Sequence, residues 1–111
     1  MRPSLDATFT ALADATRRGV VDLLRRQPRR ASDLAHELSA SRPAMSRHLR
    51  VLRGCGLVET TQDERDARER IYRLRREPFE QLEDWLDQVQ RFWLVQLDAF
   101  KQHIERTRSK R

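Results

Sequence analysis

The chain has 111 residues, 38% hydrophobic and 36% charged, and its 23 Lys and Arg against 17 Asp and Glu leave a formal net charge of +6. A chain of this length has room for one domain and buries too little surface for a large enzymatic cleft, so no enzyme is expected. Its single cysteine, Cys55, excludes an intramolecular disulfide and a cysteine-built zinc site; no stretch nears the roughly 20 apolar residues that span a bilayer, and the N-terminus lacks a signal-peptide core, so a cytoplasmic protein with no membrane partner is expected.

The apolar share is low for a globular chain, so its apolar residues must concentrate on a few helix faces, and a second chain is expected to complete the core. Of the basic residues 21 are arginine, whose planar fork suits phosphate oxygens and guanine edges, although a GC-rich genome produces the same bias. The charge is divided along the chain. Residues 15 to 76 hold 16 basic and 8 acidic side chains, whereas residues 77 to 100 hold 1 basic and 6 acidic. The middle segment is therefore the candidate for binding a polyanion, against the plainer reading of a solvated basic surface.

Leu5, Phe9, Leu12 and Ala13 recur at helical spacing and predict a short first helix ending near Asp14, which can cap the next. A second helix over about Ala15 to Arg26 turns Val20, Val21 and Leu24 inward and Arg17, Arg18, Arg25 and Arg26 outward, until Gln27-Pro28 stops it. Ser32 is an expected N-cap for a short helix carrying Leu34, Ala35 and Leu38, and Ser39-Ala40-Ser41 follows as a tight connection. From Ser41 a fourth helix runs to Gly54-Cys55-Gly56, with Pro43 tolerated in its first turn and Met45, Leu49 and Leu52 forming an inward stripe. The β-prone runs Leu57 to Thr61 and Arg70 to Leu74 bracket a polar tip and predict a hairpin over about 58–74. From Pro78, Leu82, Leu86, Val89, Trp93, Leu97, Phe100 and Ile104 repeat at steps of three and four, predicting one long amphipathic helix to about residue 106. No internal repeat or linker marks a domain boundary.

This order predicts a mainly α fold with a small β-hairpin, a winged helix-turn-helix, with residues 15–76 as its DNA-binding core and residues 78–106 as a dimerisation helix. With Met45, Leu49 and Leu52 inside, Arg42, Ser46 and Arg50 share an outward stripe at i, i+4, i+8 flanked by Arg47, on a helix capped by Ser41. These five are the candidates for base edges and phosphates of double-stranded DNA. In the hairpin tip Arg65 and Arg68 are candidate phosphate contacts, although Asp63, Glu64, Asp66 and Glu69 leave a charged solvent loop as the competing reading. His48 is read as a packing residue or phosphate neighbour rather than an acid or base, because no nucleophile-base-orienter set surrounds it, and Cys55 as a helix-end spacer with no resolving thiol.

The runs Leu12-Ala13-Asp14-Ala15-Thr16-Arg17-Arg18, Ser41-Arg42-Pro43-Ala44-Met45-Ser46-Arg47-His48-Leu49-Arg50-Val51-Leu52 and Gly56-Leu57-Val58 resemble the ArsR family in order and spacing. The resemblance covers residues 5 to about 74 with specific motifs and the remainder with a looser pattern. It implies a homodimeric winged-helix repressor, with Ser41, Arg42, Ser46, Arg47 and Arg50 at recognition-helix positions and Phe92-Trp93 on the dimer helix.

 

Metal-sensing members of that family carry a Cys-x-Cys pair where Arg30-Ala31-Ser32 stands here, and zinc-sensing members pair Asp and His with His and Glu on the last helix, where this chain has only His103, with Glu105 at the wrong spacing. His36 and Glu37 are adjacent and point to different sides of a helix, so no metal site and no cofactor is expected. The expected dimer contacts, through the first and last helices, are Leu5, Phe9, Leu86, Val89, Trp93, Leu97 and Phe100. Trp85, Phe92 and Trp93 read either as interface core or as the lining of a ligand pocket, which leaves a small-molecule effector open and without a location. The expected function is sequence-specific transcriptional regulation by a homodimer that represses from a palindromic operator, its own promoter included, using the helix at about 41–54 and the wing. The alternatives are a nonspecific nucleic-acid-binding or architectural protein and a protein-interaction module built on the long helix.

Overall fold

The computed structural model describes residues 4–109. Its elements are α1 (Leu5–Leu12), α2 (Ala15–Leu24), β1 (Arg29–Arg30), α3 (Ala31–Glu37), α4 (Arg42–Gly54), β2 (Val58–Gln62), β3 (Arg70–Leu74) and α5 (Arg76–Ser109). They form a winged helix-turn-helix, mainly helical, with a three-stranded antiparallel sheet in the order β1-β3-β2. Contacts divide the chain into two compact units, one through Glu80 and one from Gln81 onward.

Local chemistry starts and stops the helices. Ser4 Oγ accepts from the Ala7 N–H at 3.0 Å, Asp14 Oδ1 from the Arg17 N–H at 3.0 Å and Ser41 Oγ from the Ala44 N–H at 3.2 Å, so three of the N-termini have side-chain caps. At the far end of α4, Gly56 takes φ 81°, a left-handed conformation that a residue without Cβ adopts at little cost. In the turn between α3 and α4 it is Ser39 that takes a positive φ, 52°.

The hydrophobic core of the first unit joins α1, α2, α3, α4 and β2 through Ala11, Val20, Leu24, Leu34, Met45, Leu49, Leu52, Leu57 and Val58, all buried. The i, i+4, i+7 stripe of α4 is its centre, as its spacing predicts. In the second unit α5 continues as one helix, and a 34-residue helix is about 50 Å long.

Several boundaries differ from the sequence reading. Ser32 does not cap α3; the N-cap is Arg30, with no side-chain bond, because Arg29 and Arg30 pair with Tyr72 and Ile71 of β3 and the chain passes from that bridge directly into the helix. The two-residue β1 is too short to show a period of two in the sequence. Helix α2 ends at Leu24 rather than Arg26, and α5 begins two residues before Pro78, which sits in a first turn whose amides need no intrahelical acceptor. Arg17 is not an outward side chain. Its Nε and Nη2 donate to the carbonyls of Ala11 (2.8 Å) and Thr10 (3.2 Å), while Arg18 Nη1 donates to Leu12 O (2.8 Å), so two arginines of α2 close the C-terminal end of α1.

The wing is tied to the sheet by an ion pair that joins residues far apart in sequence. Arg30 Nη2 stands 2.7 Å from Asp63 Oδ2, a close charge contact rather than an aligned hydrogen bond, and the Asp63 side chain is only 5% exposed. Asp63 Oδ1 accepts from the Arg65 N–H at 2.9 Å. That N–H, more than the neighbouring Arg30 charge, holds the Asp63 carboxyl below its ordinary value, while burial opposes the shift.

Leu49→Ala, which empties a site 2% exposed, is expected to destabilise the fold by about 2–5 kcal/mol in a denaturant melt. The lowered Asp63 pKa means that its contribution to stability is complete above the ordinary carboxyl value of 3.8 and is lost as pH falls through the lower folded-state value. Asp63→Asn is therefore expected to reduce the melting temperature at pH 7 and to flatten its fall in acid; an unchanged acid profile would remove Asp63 from this role.

Candidate nucleic-acid interface

Burying Met45, Leu49 and Leu52 determines what α4 presents to solvent. Arg42, Ser46, Arg47 and Arg50 are all exposed, and the i, i+4, i+8 stripe lies opposite the core. Ser41 is exposed too, but its hydroxyl is occupied in capping the helix. Arg53 is exposed and continues the stripe three residues beyond Arg50; the same spacing rule that selected Arg50 could have found it.

His48 is half-buried beside this face and points to the α1–α2 junction. Its Nδ1 lies 3.3 Å from Arg17 Nη1 and 3.8 Å from Asp14 Oδ1. The Arg17 contact requires Nδ1 to accept, and the Asp14 ion pair requires a protonated ring, so the two partners serve different protonation states. Asp14 is held below its ordinary value chiefly by the Arg17 N–H that it caps, against the opposing effect of burial, with His48 and the Arg17 charge adding to the lowering. This cluster ties the flank of α4 to the junction of α1 and α2.

The acids of the wing tip have a structural explanation. Asp63 Oδ1 and Asp66 Oδ1 accept from the N–H groups of Arg65 (2.9 Å) and Arg68 (3.0 Å), two tight side-chain turns, and Gln62 Nε2 donates to Ala67 O at 3.3 Å. Two of the four acids thus shape the loop, and both following arginines are exposed. Arg68 Nε lies 3.9 Å from Asp66 Oδ1 with the arginine side chain 96% exposed, a pair too weak to hold the guanidinium. Glu69, half-buried, shares a concavity of about 210 Å³ with Arg42, Ser46 and Tyr72, which brings the root of the wing beside the exposed stripe of α4.

Of the expected dimer contacts, Leu5 is half-buried, Phe9 is 42% exposed, and Leu86, Val89, Trp93, Leu97 and Phe100 are exposed along α5. Leu94 and Val95, off the predicted stripe, are exposed as well, so the apolar band is wider than a single seam. Among the described residues no helix is long and apolar enough to cross a membrane, and no three His, Cys, Asp or Glu side chains gather as a metal-ligand set. Cys55 is half-buried at the C-cap of α4.

Residues 14–60 match the family described as bacterial regulatory protein, arsR family. Over 102 residues the chain is 38% identical to the HTH-type transcriptional regulator Rv2034 of Mycobacterium tuberculosis (strain ATCC 25618 / H37Rv), covering 92% of this chain and 90% of that protein. It is 33% identical over 54 residues to the transcriptional repressor SdpR of Bacillus subtilis (strain 168), covering 49% of this chain and 60% of the repressor. Among solved structures, an ArsR-like transcriptional regulator from Rhodococcus sp. RHA1 superposes with a TM-score of 0.74 at 35% identity, over 91% of this chain and 90% of that one. A helix-turn-helix with an arginine-lined outer face, matched over nearly its whole length by such relatives, belongs to the arsR family of bacterial regulatory proteins and is a transcriptional regulator.

Proposed function

We propose that the protein is a homodimeric repressor that binds a palindromic operator, its own promoter being the first fragment to test, with the outer face of α4 in the major groove and the wing on the flanking backbone. The observation that carries this reading is the division of α4 into a buried Met45-Leu49-Leu52 stripe and an exposed face of Arg42, Ser46, Arg47 and Arg50. Ser41 sets the start of that helix, and Arg65 and Arg68 supply phosphate contacts from a tip in which Asp63 and Asp66 are engaged in turns. The naming of SdpR as a transcriptional repressor supports repression rather than activation.

Dimerisation is supported by the exposed apolar residues of α5 and, separately, by Phe9 and the half-buried Leu5 on α1, apolar surface that water disfavours and a second copy of the chain would cover. A two-fold dimer sets its recognition helices about one DNA turn, roughly 34 Å, apart, so that both enter successive major grooves on one face of the duplex.

Arg42→Ala and Arg50→Ala are each expected to weaken operator binding by about 1–3 kcal/mol in a titration on a palindromic fragment while leaving the thermal melt unchanged. Affinities unaffected by both substitutions would turn a different face of α4 to the DNA. A salt series on operator and random DNA separates this reading from nonspecific binding, which follows phosphate charge and ignores sequence.

Trp93→Asp places a carboxylate in the apolar band and is expected to yield a monomer by sedimentation that keeps its helical content. Such a monomer forfeits the effectively intramolecular second contact, with a loss of about 10² to 10⁴ in operator affinity. A Trp93→Asp protein that stayed dimeric would move the interface elsewhere.

A further inference from the structure

The largest concavity described in the first unit, about 670 Å³, lies where α2, β3 and the first turn of α5 meet, away from the outer face of α4. Its apolar lining comes from Leu24, which is 4% exposed, and from the half-buried Val21, Leu74 and Phe79. Its charged lining is of one sign: Arg25, Arg73, Arg75 and Arg76, with no carboxylate among the lining residues.

The acids that pair with these arginines stand outside the groove. Arg25 is 3.6 Å from Asp22, Arg75 is 3.2 Å from Glu77 and Arg76 is 3.9 Å from Glu80, and each acid is more than half exposed. Exposed pairs of this length contribute little, so an incoming anion exchanges them at small cost. Arg73 forms no ion pair among the described residues, although Glu59 stands opposite it on β2. Arginine stems lie along apolar surface while their heads reach for anions, so one cavity offers an apolar body site and a guanidinium head site together.

We propose that this groove binds an amphipathic organic acid, a single anionic head carried on an apolar body. The volume falls within the range of about 300–1,000 Å³ typical of small-molecule sites. Nucleic acid fits it poorly, since a phosphate backbone brings no apolar body to cover Leu24 and Phe79. The groove touches both the second strand of the wing and the start of α5, so occupation can bear on the wing, and it gives a location to an effector that the residue pattern alone left unplaced.

The test is calorimetric titration of the full-length protein with decanoate below its micelle concentration, alongside acetate, which lacks the body, and decyltrimethylammonium, which reverses the charge. Saturable binding of one decanoate per chain is expected, with no heat from acetate or from the cation beyond dilution. Arg73→Ala and the double variant Arg73→Ala/Arg76→Ala are expected to weaken decanoate by about tenfold or more at an unchanged thermal melt. Phe79→Leu, which keeps the core filled, is expected to shift the preference among chain lengths. Equal binding of decanoate and the cation, or decanoate binding indifferent to both arginine variants, would assign the heat to the exposed band of α5 and overturn the proposal. Loss of DNA affinity in Arg73→Ala with decanoate binding unchanged would overturn it as well, by assigning the arginine to the phosphate backbone.

Discussion

The candidate nucleic-acid interface of this protein depends on how α4 is rolled. Its thirteen residues carry three large apolar side chains on one face, and these are 2% exposed or less. Rolling the helix by one residue, about 100°, would bring arginines into the core and Leu49 into water, and the cost of burying an unpaired charge far exceeds that of any other arrangement. The outward face of Arg42, Ser46, Arg47 and Arg50 is therefore a consequence of core packing, before any nucleic acid is present.

Anchoring this helix falls to polar groups at its edges. Ser41 satisfies an N–H of the first turn, and His48 meets Arg17, whose guanidinium also closes the end of α1. The junction of α1 and α2 and the flank of α4 thus share one cationic side chain, and Asp14, which caps α2, sits beside them. Because the exposed stripe of α4 is mostly long-stemmed arginine, whose rotamers are free in solvent, its position relative to the rest of the fold rests on this anchoring of the helix.

The wing obeys the same division between shape and charge. Of its acids, Asp63 and Asp66 are engaged by backbone N–H groups and Asp63 also faces Arg30. What remains outward at the tip includes Arg65 and Arg68. The second unit is different in kind: α5 exposes Phe92, Trp93, Leu94 and Val95 in succession, a surface that a solvent-facing helix does not sustain by itself.

The amino-acid sequence by itself determined the helices, two of their caps, the hairpin, the buried stripe of α4 and hence the candidate face, because these signals repeat within three or four residues or alternate within a strand. Asp14 and Ser41 are legible as caps for that reason. The tertiary structure decided what depends on residues far apart: β1 exists only because Arg29 and Arg30 meet β3 more than 40 residues later, and Ser32 lost its capping role to that bridge. Arg17 reads as an outward residue on the helical wheel and becomes an internal clamp only once α1 folds back within its reach. The Arg30–Asp63 pair and the groove of Leu24, Leu74 and Phe79 are likewise products of packing, since no local pattern records which charge will meet which carboxylate, or which apolar side chains will be left lining a cavity when the elements come together.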